Sequence, residues 1–431
     1  MYLIYSALLA LGLMVATPFW LLEMIRHGKY RKGLLQRLGK VPQSMRNPGA
    51  SSIWIHAVSV GEVLAVGELV RNLRIEFPRH RILISTTTDA GQELARTRFG
   101  AENIFYFPLD FAFIMRRYFA AIRPELVVVA ETEFWPNLLR TAKQSGANTV
   151  VVNARISDRS FPGYRRWSRL LRPVLNNVAA FLAQGAEDAS RLIAIGAVED
   201  RVSVGGNLKF DFALPPAPAI LGELKSALTQ SESAPVLVCG STLNGEEAVL
   251  LDVFKQVLDQ FPGAVMLLAP RHPERFNQVA ALLQESGMKF ALRTQWSGSS
   301  LNGKVLLIDS IGELANLYAL ADLAIVGGSF VPAGGHNILE PAQHGVPIVV
   351  GPHTENFREI ISLFRANDAV RVSESKDLAS TVTSLLKSDE DRHALGLRAR
   401  DTLRSQQGAT ARTLDRLKAL LPAPEREGHT A

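Results

Sequence analysis

Short apolar, β-branched runs recur along the first half of the chain: SIWIHAVS, RILISTTT, NIFYFPLD, LVVVAETE, NTVVVNAR, AAFLAQG and VSVGGN. Helix-patterned segments separate most of them, among them the stretch after Gly61 through Phe77 and AGQELARTRF from Ala90. Continuous apolar strands alternating with helices predict a mostly parallel sheet covered on both faces. The pattern breaks at ALPPAPA, Ala213 to Ala219, where three prolines in four residues predict a stiff, exposed linker. It then resumes as PVLVCGS, AVMLLAPRH, KVLLIDS, LAIVGGS, PIVVGP and AVRVS. The expected fold class is α/β, with two successive doubly wound, Rossmann-like domains and a cleft between them. In such sheets ligands bind beyond the C-terminal strand ends.

The N-terminus has a different pattern. Tyr2 to Leu22 holds no charged residue and is about long enough to cross a hydrocarbon core. Nothing basic precedes it, which disfavours a cleaved signal peptide, and Pro18 is placed to kink or end the helix. From Arg26 to Lys40 come six Lys or Arg and no acid. By the positive-inside rule this flank is cytoplasmic, and so is the large remainder. Leu34, Leu35 and Leu38 among the cations suggest a helix at a membrane surface. A buried amphipathic helix docked on the globular part is the alternative.

Composition narrows the classes. A chain of 431 residues, 47% hydrophobic and 20% charged, is globular and long enough for two domains. Its net charge of +6 suits a phosphate-bearing partner or an anionic membrane. The one cysteine, Cys239, excludes an internal disulfide and a cysteine-cluster metal site. There is no G-x-x-x-x-G-K-[ST] or G-x-G-x-x-G phosphate cradle, and no histidine pair at zincin spacing. Asp389-Glu390-Asp391 follows Ser388 and reads as a capped helix start.

Candidate chemistry lies just after strands. In the second half these residues are Gly240-Ser241-Thr242, Arg271-His272, Asp309, Gly327-Gly328-Ser329 and Gly351-Pro352. Arg271 is a bidentate donor beside the His272 ring, apt for phosphate or carboxylate. Asp309 or Ser310 can cap a helix running on through Gly312, Glu313 and Leu314. GGHNILEPAQHGVPIVVGP, Gly334 to Pro352, places a polar glycine-opened turn before a helix, with backbone N–H groups available to an anion. Glu340, about one turn in, can accept from ribose hydroxyls or simply stabilise the helix start. In the first half Glu62 follows a strand at the head of an apolar helix, where an acid is ordinary helix chemistry or a general base. Glu131 and Glu133 end a very apolar strand. Asn153-Ala154-Arg155 and Asn207-Leu208-Lys209 follow later strands and add cationic groups. Arg165, Arg166 and Arg169 around Trp167 form either a solvated helix face or a phosphate contact.

Taken together, SVGE, AETEFWPN, GNLKFD, APRHPERF, GELANLYALADLAIVGGSF and GGHNILEPAQHGVPIVVGPHTENF resemble the 3-deoxy-D-manno-octulosonic acid (Kdo) transferases of lipopolysaccharide inner-core assembly. The resemblance runs from the N-terminal anchor to about Arg400. It implies a GT-B fold and inverting, metal-independent transfer of Kdo from CMP-Kdo to a lipid A precursor (lipid IVA), with no cofactor. It implies Glu62 as general base, with Glu131 and Lys209 supporting the transition state. It implies CMP binding by Arg271, His272, the Gly312-Glu313-Leu314 turn and Asn337, Ile338, Leu339 and Glu340. Domain closure would assemble the site. The expected partners are CMP-Kdo, the lipid A precursor and anionic inner-membrane lipids, not nucleic acid. The expected location is the cell inner membrane, with a single N-terminal anchor and catalytic domains on the cytoplasmic face. The expected division is an anchor (1–24), a basic juxtamembrane segment (25–48), an acceptor-side domain (49–211), a Pro-rich linker (212–233), a nucleotide-sugar domain (234–421) and a flexible tail (422–431). A sugar-nucleotide 2-epimerase of the same two-domain fold and a non-catalytic lipid-binding protein are the alternative functions.

Overall fold

A computed structural model describes residues 1–27, 32–46, 51–229 and 234–421. The expected tail (422–431) lies outside the described residues, as do Lys29 and Arg31 of the basic flank. The chain forms two compact units, Met1–Phe212 with the C-terminal segment from Gln406, and Ala213–Ser405.

The first unit is built on β1 (Ser52–His56), β2 (Arg81–Thr86), β3 (Ile104–Tyr106), β4 (Pro124–Ala130), β5 (Asn148–Ala154), β6 (Ala180–Ala183) and β7 (Val202–Val204). All pairs are parallel, in the order β3-β2-β1-β4-β5-β6-β7. The order reverses between β1 and β4, the switch point that opens a crevice at the strand ends. The runs are continuously apolar because both faces are covered. Trp54, Val127 and Val129 enter one core, while Ile53, Ile55, Leu126 and Val128 enter the other.

The second unit repeats the plan with β8 (Val236–Thr242), β9 (Val265–Pro270), β10 (Phe290–Leu292), β11 (Val305–Leu307), β12 (Leu323–Val326), β13 (Ile348–Val350) and β14 (Arg371–Val372). Its order is β10-β11-β9-β8-β12-β13-β14, again parallel, with the switch between β8 and β12. Leu237 and Cys239 face one core, Val236 and Val238 the other. Cys239 is a buried strand residue, as expected.

Two boundaries differ from the expectation. The segment read as linker contains a helix, Ile220–Thr229, whose Ile220 and Leu224 join a core of the second unit. Asn316 Nδ2 donates to the carbonyls of Pro215 and Pro216, at 3.1 and 3.4 Å, and so ties down the proline run itself. At the C-terminus, helix Ala409–Lys418 belongs to the first unit. Its Leu414 and Leu417 pack in the core that holds Leu69, Val70 and Leu73. Asp211 accepts the N–H groups of Gly408 and Thr410 at the start of that helix. Ser388 does cap Asp389–Gln406, accepting the Asp391 N–H at 3.2 Å.

Candidate active site

In the first unit β1 runs into a tight turn and the helix Val60–Ala65, with Glu62 in its first turn. The Glu62 carboxylate reaches back over that turn. Oε2 accepts the Val58 N–H at 2.8 Å, and Oε1 accepts the Ser59 hydroxyl at 3.0 Å. It is only 7% exposed. Burial pushes its pKa up to about 7 against the pull of those hydrogen bonds, and the charges of Glu131 and Glu133 push the same way. A carboxyl poised near neutrality beside a strand end is suited to exchanging a proton with a bound hydroxyl.

Glu131 follows β4 with φ of 57°, a left-handed conformation unfavourable for a residue with a Cβ. Its N–H still donates to Val152 O at 2.9 Å, so the strand ladder holds the backbone while the side chain turns out of the sheet. There it meets Lys209, whose Nζ lies 3.7 Å from Glu131 Oε1. Glu133 stands nearby. Burial, and then the charge of Glu131, raise its pKa. Glu62, Glu131 and Lys209 are thus brought into one cluster.

The placement of Lys209 depends on three amides. Asn153, also left-handed at φ 54° and set in a bulge of β5, accepts the Leu208 N–H on Oδ1 at 3.0 Å. Asn207 Oδ1 accepts the N–H of Lys209 itself at 3.0 Å. Gln184 joins the two, accepting from Asn207 Nδ2 and donating to Asn153 O, each at 3.1 Å. Sequence reasoning placed Asn153 and Asn207 at strand ends but missed this bracing role, and Gln184 altogether. No local spacing signals it.

In the second unit Arg271 follows β9 and is exposed, its N–H bound to Thr242 O at 3.0 Å. His272 beside it is exposed as well. Arg271 acts electrostatically on His336 and Glu340. The His336 ring is driven down to about 4 by burial, then by the charges of Arg271 and His272, so it is neutral at physiological pH. Glu340 is raised by burial, opposed by a hydrogen bond from Asn337 and by Arg271. Asn337 Nδ2 donates to Glu340 Oε1 at 3.2 Å. Gly312, at φ 91°, makes the turn that brings Glu313 and Leu314 round to helix Leu314–Leu317. His344 Nε2 bonds Ala315 O at 2.9 Å, tying this helix to the one that carries Glu340. The expected CMP residues therefore gather on one side of the second sheet, but not all with free side chains. Ile338 and Leu339 are buried in the core, leaving only main chain to a ligand. Glu313 is held by Arg293 and by the Ser310 hydroxyl.

Three readings of loop chemistry change. The helix after GGHN is only Leu339–Gln343, and Asn337 Oδ1 already accepts the Leu339 N–H at 3.1 Å. So short a helix has little dipole to offer an anion. The Gly334–Gly335 turn, at φ 87° and 78°, is instead braced by Asn356, whose N–H donates to Gly334 O at 2.9 Å. Asp309 does not cap a helix; its Oδ1 accepts the Thr294 N–H at 2.9 Å. Finally, the Gly327-Gly328-Ser329 turn keeps few N–H groups for a ligand. Buried Glu246 accepts the N–H of Gly328 at 2.8 Å, Ser329 at 3.1 Å, Phe330 at 2.9 Å and Leu243 at 2.8 Å.

These paired parallel sheets define a GT-B glycosyltransferase fold. Residues 248–402 match the model for glycosyl transferases group 1, and residues 32–212 match that for 3-deoxy-D-manno-octulosonic-acid transferase. The chain is 35% identical to a 3-deoxy-D-manno-octulosonic acid transferase of Haemophilus influenzae, over 97% of this chain and 98% of that one. It is 34% identical to the protein of the same name from Bordetella pertussis, over 94% and 96%. The UDP-GlcNAc 2-epimerase of Neisseria meningitidis, at 13% identity and TM-score 0.53 over 86% of this chain and 100% of that one, shares the fold alone. The chain belongs to the Kdo transferase family and is a glycosyltransferase.

Proposed function

We propose that the protein transfers Kdo from CMP-Kdo to a hydroxyl of a lipid A precursor in lipopolysaccharide biosynthesis, with inversion and without a metal. The observation that carries the reading is Glu62, a hydrogen-bonded carboxyl held near neutrality next to the Glu131–Lys209 pair. As base it takes the proton of the acceptor hydroxyl, whose oxygen attacks the anomeric carbon of Kdo as the bond to CMP breaks. One displacement by one activated oxygen inverts the centre. Lys209 faces the negative charge that gathers during transfer, and Glu131 holds Lys209 in place. Arg271 meets the leaving phosphate, and Glu340 and Asn337 meet the ribose. Cationic side chains then do the work that a divalent ion does in other transferases. The N-terminal helix and its basic flank keep the enzyme at the inner membrane, on the cytoplasmic face, beside its lipid acceptor.

The test is a transfer assay with detergent-solubilised protein, CMP-Kdo, a tetra-acylated lipid A precursor and EDTA, read by mass spectrometry of the lipid. A gain of one or more Kdo units is expected, with the anomeric configuration opposite to the donor's by NMR. No lipid product from folded protein that binds CMP rejects this acceptor. Consumption of a free sugar nucleotide with epimerisation supports the alternative.

A further inference from the structure

Glu62 is only as well placed as the turn in front of it. Its Oε2 accepts the Val58 N–H at 2.8 Å, and that bond is the strongest influence opposing burial of the charged carboxylate. A donor aimed at a carboxylate favours the ionised form. Val58 in turn hangs on a second loop. Its carbonyl accepts the N–H groups of Thr87 and Thr88, each at 3.1 Å, and the Thr88 hydroxyl at 3.3 Å. The Ala57 N–H before it donates to Ser85 O at 3.0 Å. The peptide that carries the Val58 N–H therefore lies between two anchored ones, and its direction towards Glu62 is set by what holds Thr87 and Thr88.

That loop is gripped from two sides. On one side is helix Asp89–Phe99, capped by Thr88, whose Oγ1 accepts the Gly91 N–H at 3.1 Å. Gly91 lies hard against the Glu62 turn: a Cβ there would stand 2.9 Å from Thr88 Oγ1 and 3.3 Å from both Val58 O and the Ser59 carbonyl carbon. On the other side is Arg37, whose Nη2 donates to Thr87 O at 2.6 Å. Its guanidinium lies 4.7 Å from the centre of the Tyr106 ring, and the Tyr106 hydroxyl donates to Asp89 Oδ1 at 2.8 Å. The main chain under Arg37 is strapped to the same unit. The Leu109 N–H donates to Arg37 O at 2.9 Å, Gln36 Oε1 accepts the Tyr106 N–H at 2.8 Å, and the Tyr118 hydroxyl donates to Gln36 O at 2.9 Å. The Thr87 carbonyl and the Thr88 N–H belong to one peptide. A guanidinium on its oxygen polarises that peptide and strengthens the bond its N–H makes to Val58 O.

We propose that Arg37 is a positioning residue for the base, holding through Thr87, Thr88 and Val58 the N–H that is aimed at Glu62. This rests on the reading of Glu62 as the group that takes the acceptor proton. The charges that Glu62 feels are those of Glu131 and Glu133. Those that face Arg37 are Asp89 and Tyr106, with Arg96 acting on Tyr106. The link from Arg37 to the base is therefore the hydrogen-bonded turn and not a direct charge. Loosening the turn takes a donor from Glu62 while leaving it buried, so the carboxyl keeps its proton to higher pH and less of it is ionised at neutrality.

Arg37→Gln and Gly91→Ala test this from the two sides of the loop, each in the full chain. Alanine suits a helix better than glycine, so Gly91→Ala crowds the turn without weakening helix Asp89–Phe99. In both variants the acid limb of kcat/KM is expected to move up by about one pH unit, with turnover down about tenfold at neutral pH and regained at higher pH, while CMP affinity stays at the parent value. Arg37→Lys, which keeps a cationic donor near Thr87 O, is expected to hold the limb at the parent position. An arginine that serves the fold alone would lower the urea midpoint and leave the limb where it is. A limb unmoved in both Arg37→Gln and Gly91→Ala overturns the proposal, and one that moves in Gly91→Ala alone removes Arg37 from it. The Glu62 carboxyl is also followed directly, by carbon-13 NMR of glutamate-labelled protein, with Glu62→Gln identifying its resonance. Full turnover in Glu62→Gln would reject the base, but the brace is still judged by this titration: a midpoint raised in Arg37→Gln sustains it, and an unchanged midpoint overturns it.

Discussion

The Lys209 ammonium stands 3.7 Å from the Glu131 carboxylate, and that carboxylate in turn acts on Glu62. The charge on Glu131 is therefore felt by the proposed base. Glu62 must be ionised to accept a proton, so kcat/KM should rise with pH through about 7 and then level off. Removing a neighbouring negative charge eases that ionisation. Glu131→Gln should move the acid limb of the profile to lower pH, and Glu133→Gln should move it less, because Glu131 is the larger influence. A limb that stays in place in both variants contradicts the coupling.

Glu62 also links stability to pH. Its folded-state value, about 7, lies above the ordinary 4.5. A group raised in this way contributes stability that is fully present below its unfolded value and lost as pH rises through the folded one. Glu62→Gln removes the cost of burying the charge. The variant should match the parent in stability at acid pH and exceed it above pH 7 by on the order of 2 kcal/mol, read from urea unfolding at several pH values. A variant less stable than the parent at every pH contradicts this.

Glu246 accepts four main-chain N–H groups at the β8–β12 switch and is 1% exposed. A glutamine offers one oxygen and turns an NH2 group towards the remaining donors. Glu246→Gln should destabilise the second unit by about 2–5 kcal/mol, seen as a lower urea midpoint. A midpoint within error of the parent's shows that the carboxylate is not what holds the turn.

Arg271 is assigned to the leaving phosphate, and its charge lowers the His336 ring. Arg271→Ala should weaken CMP binding about tenfold to a hundredfold and raise the His336 titration midpoint, followed by NMR. Arg271→Lys should restore the His336 midpoint more fully than the affinity, since an ammonium keeps the charge but not the bidentate fork. Equal recovery of both contradicts a bidentate contact.

How far the sequence foretold this structure depended on distance along the chain. The strands were legible because burial on both faces leaves continuous apolar runs such as LVVVA before Glu131 and PVLVC through Cys239. Glu62, Glu131 and Lys209 stood out as charged residues just beyond those strands. Partners remote in sequence were not legible. Leu414 and Leu417 close the first unit on helix Gly67–Glu76, and nothing near them marks that destination. The Gly327-Gly328-Ser329 turn read as an open rim because its N–H acceptor, Glu246, lies 82 residues before Gly328. The helix Ile220–Thr229 was hidden by the prolines ahead of it.

The most direct measurement is Kdo transfer by Glu62→Gln. With CMP-Kdo and a lipid A precursor, kcat should fall by about 10²–10⁴-fold while CMP affinity stays at the parent value, because the base is lost and the nucleotide site is not touched. Full turnover in that variant would show that another group takes the acceptor proton.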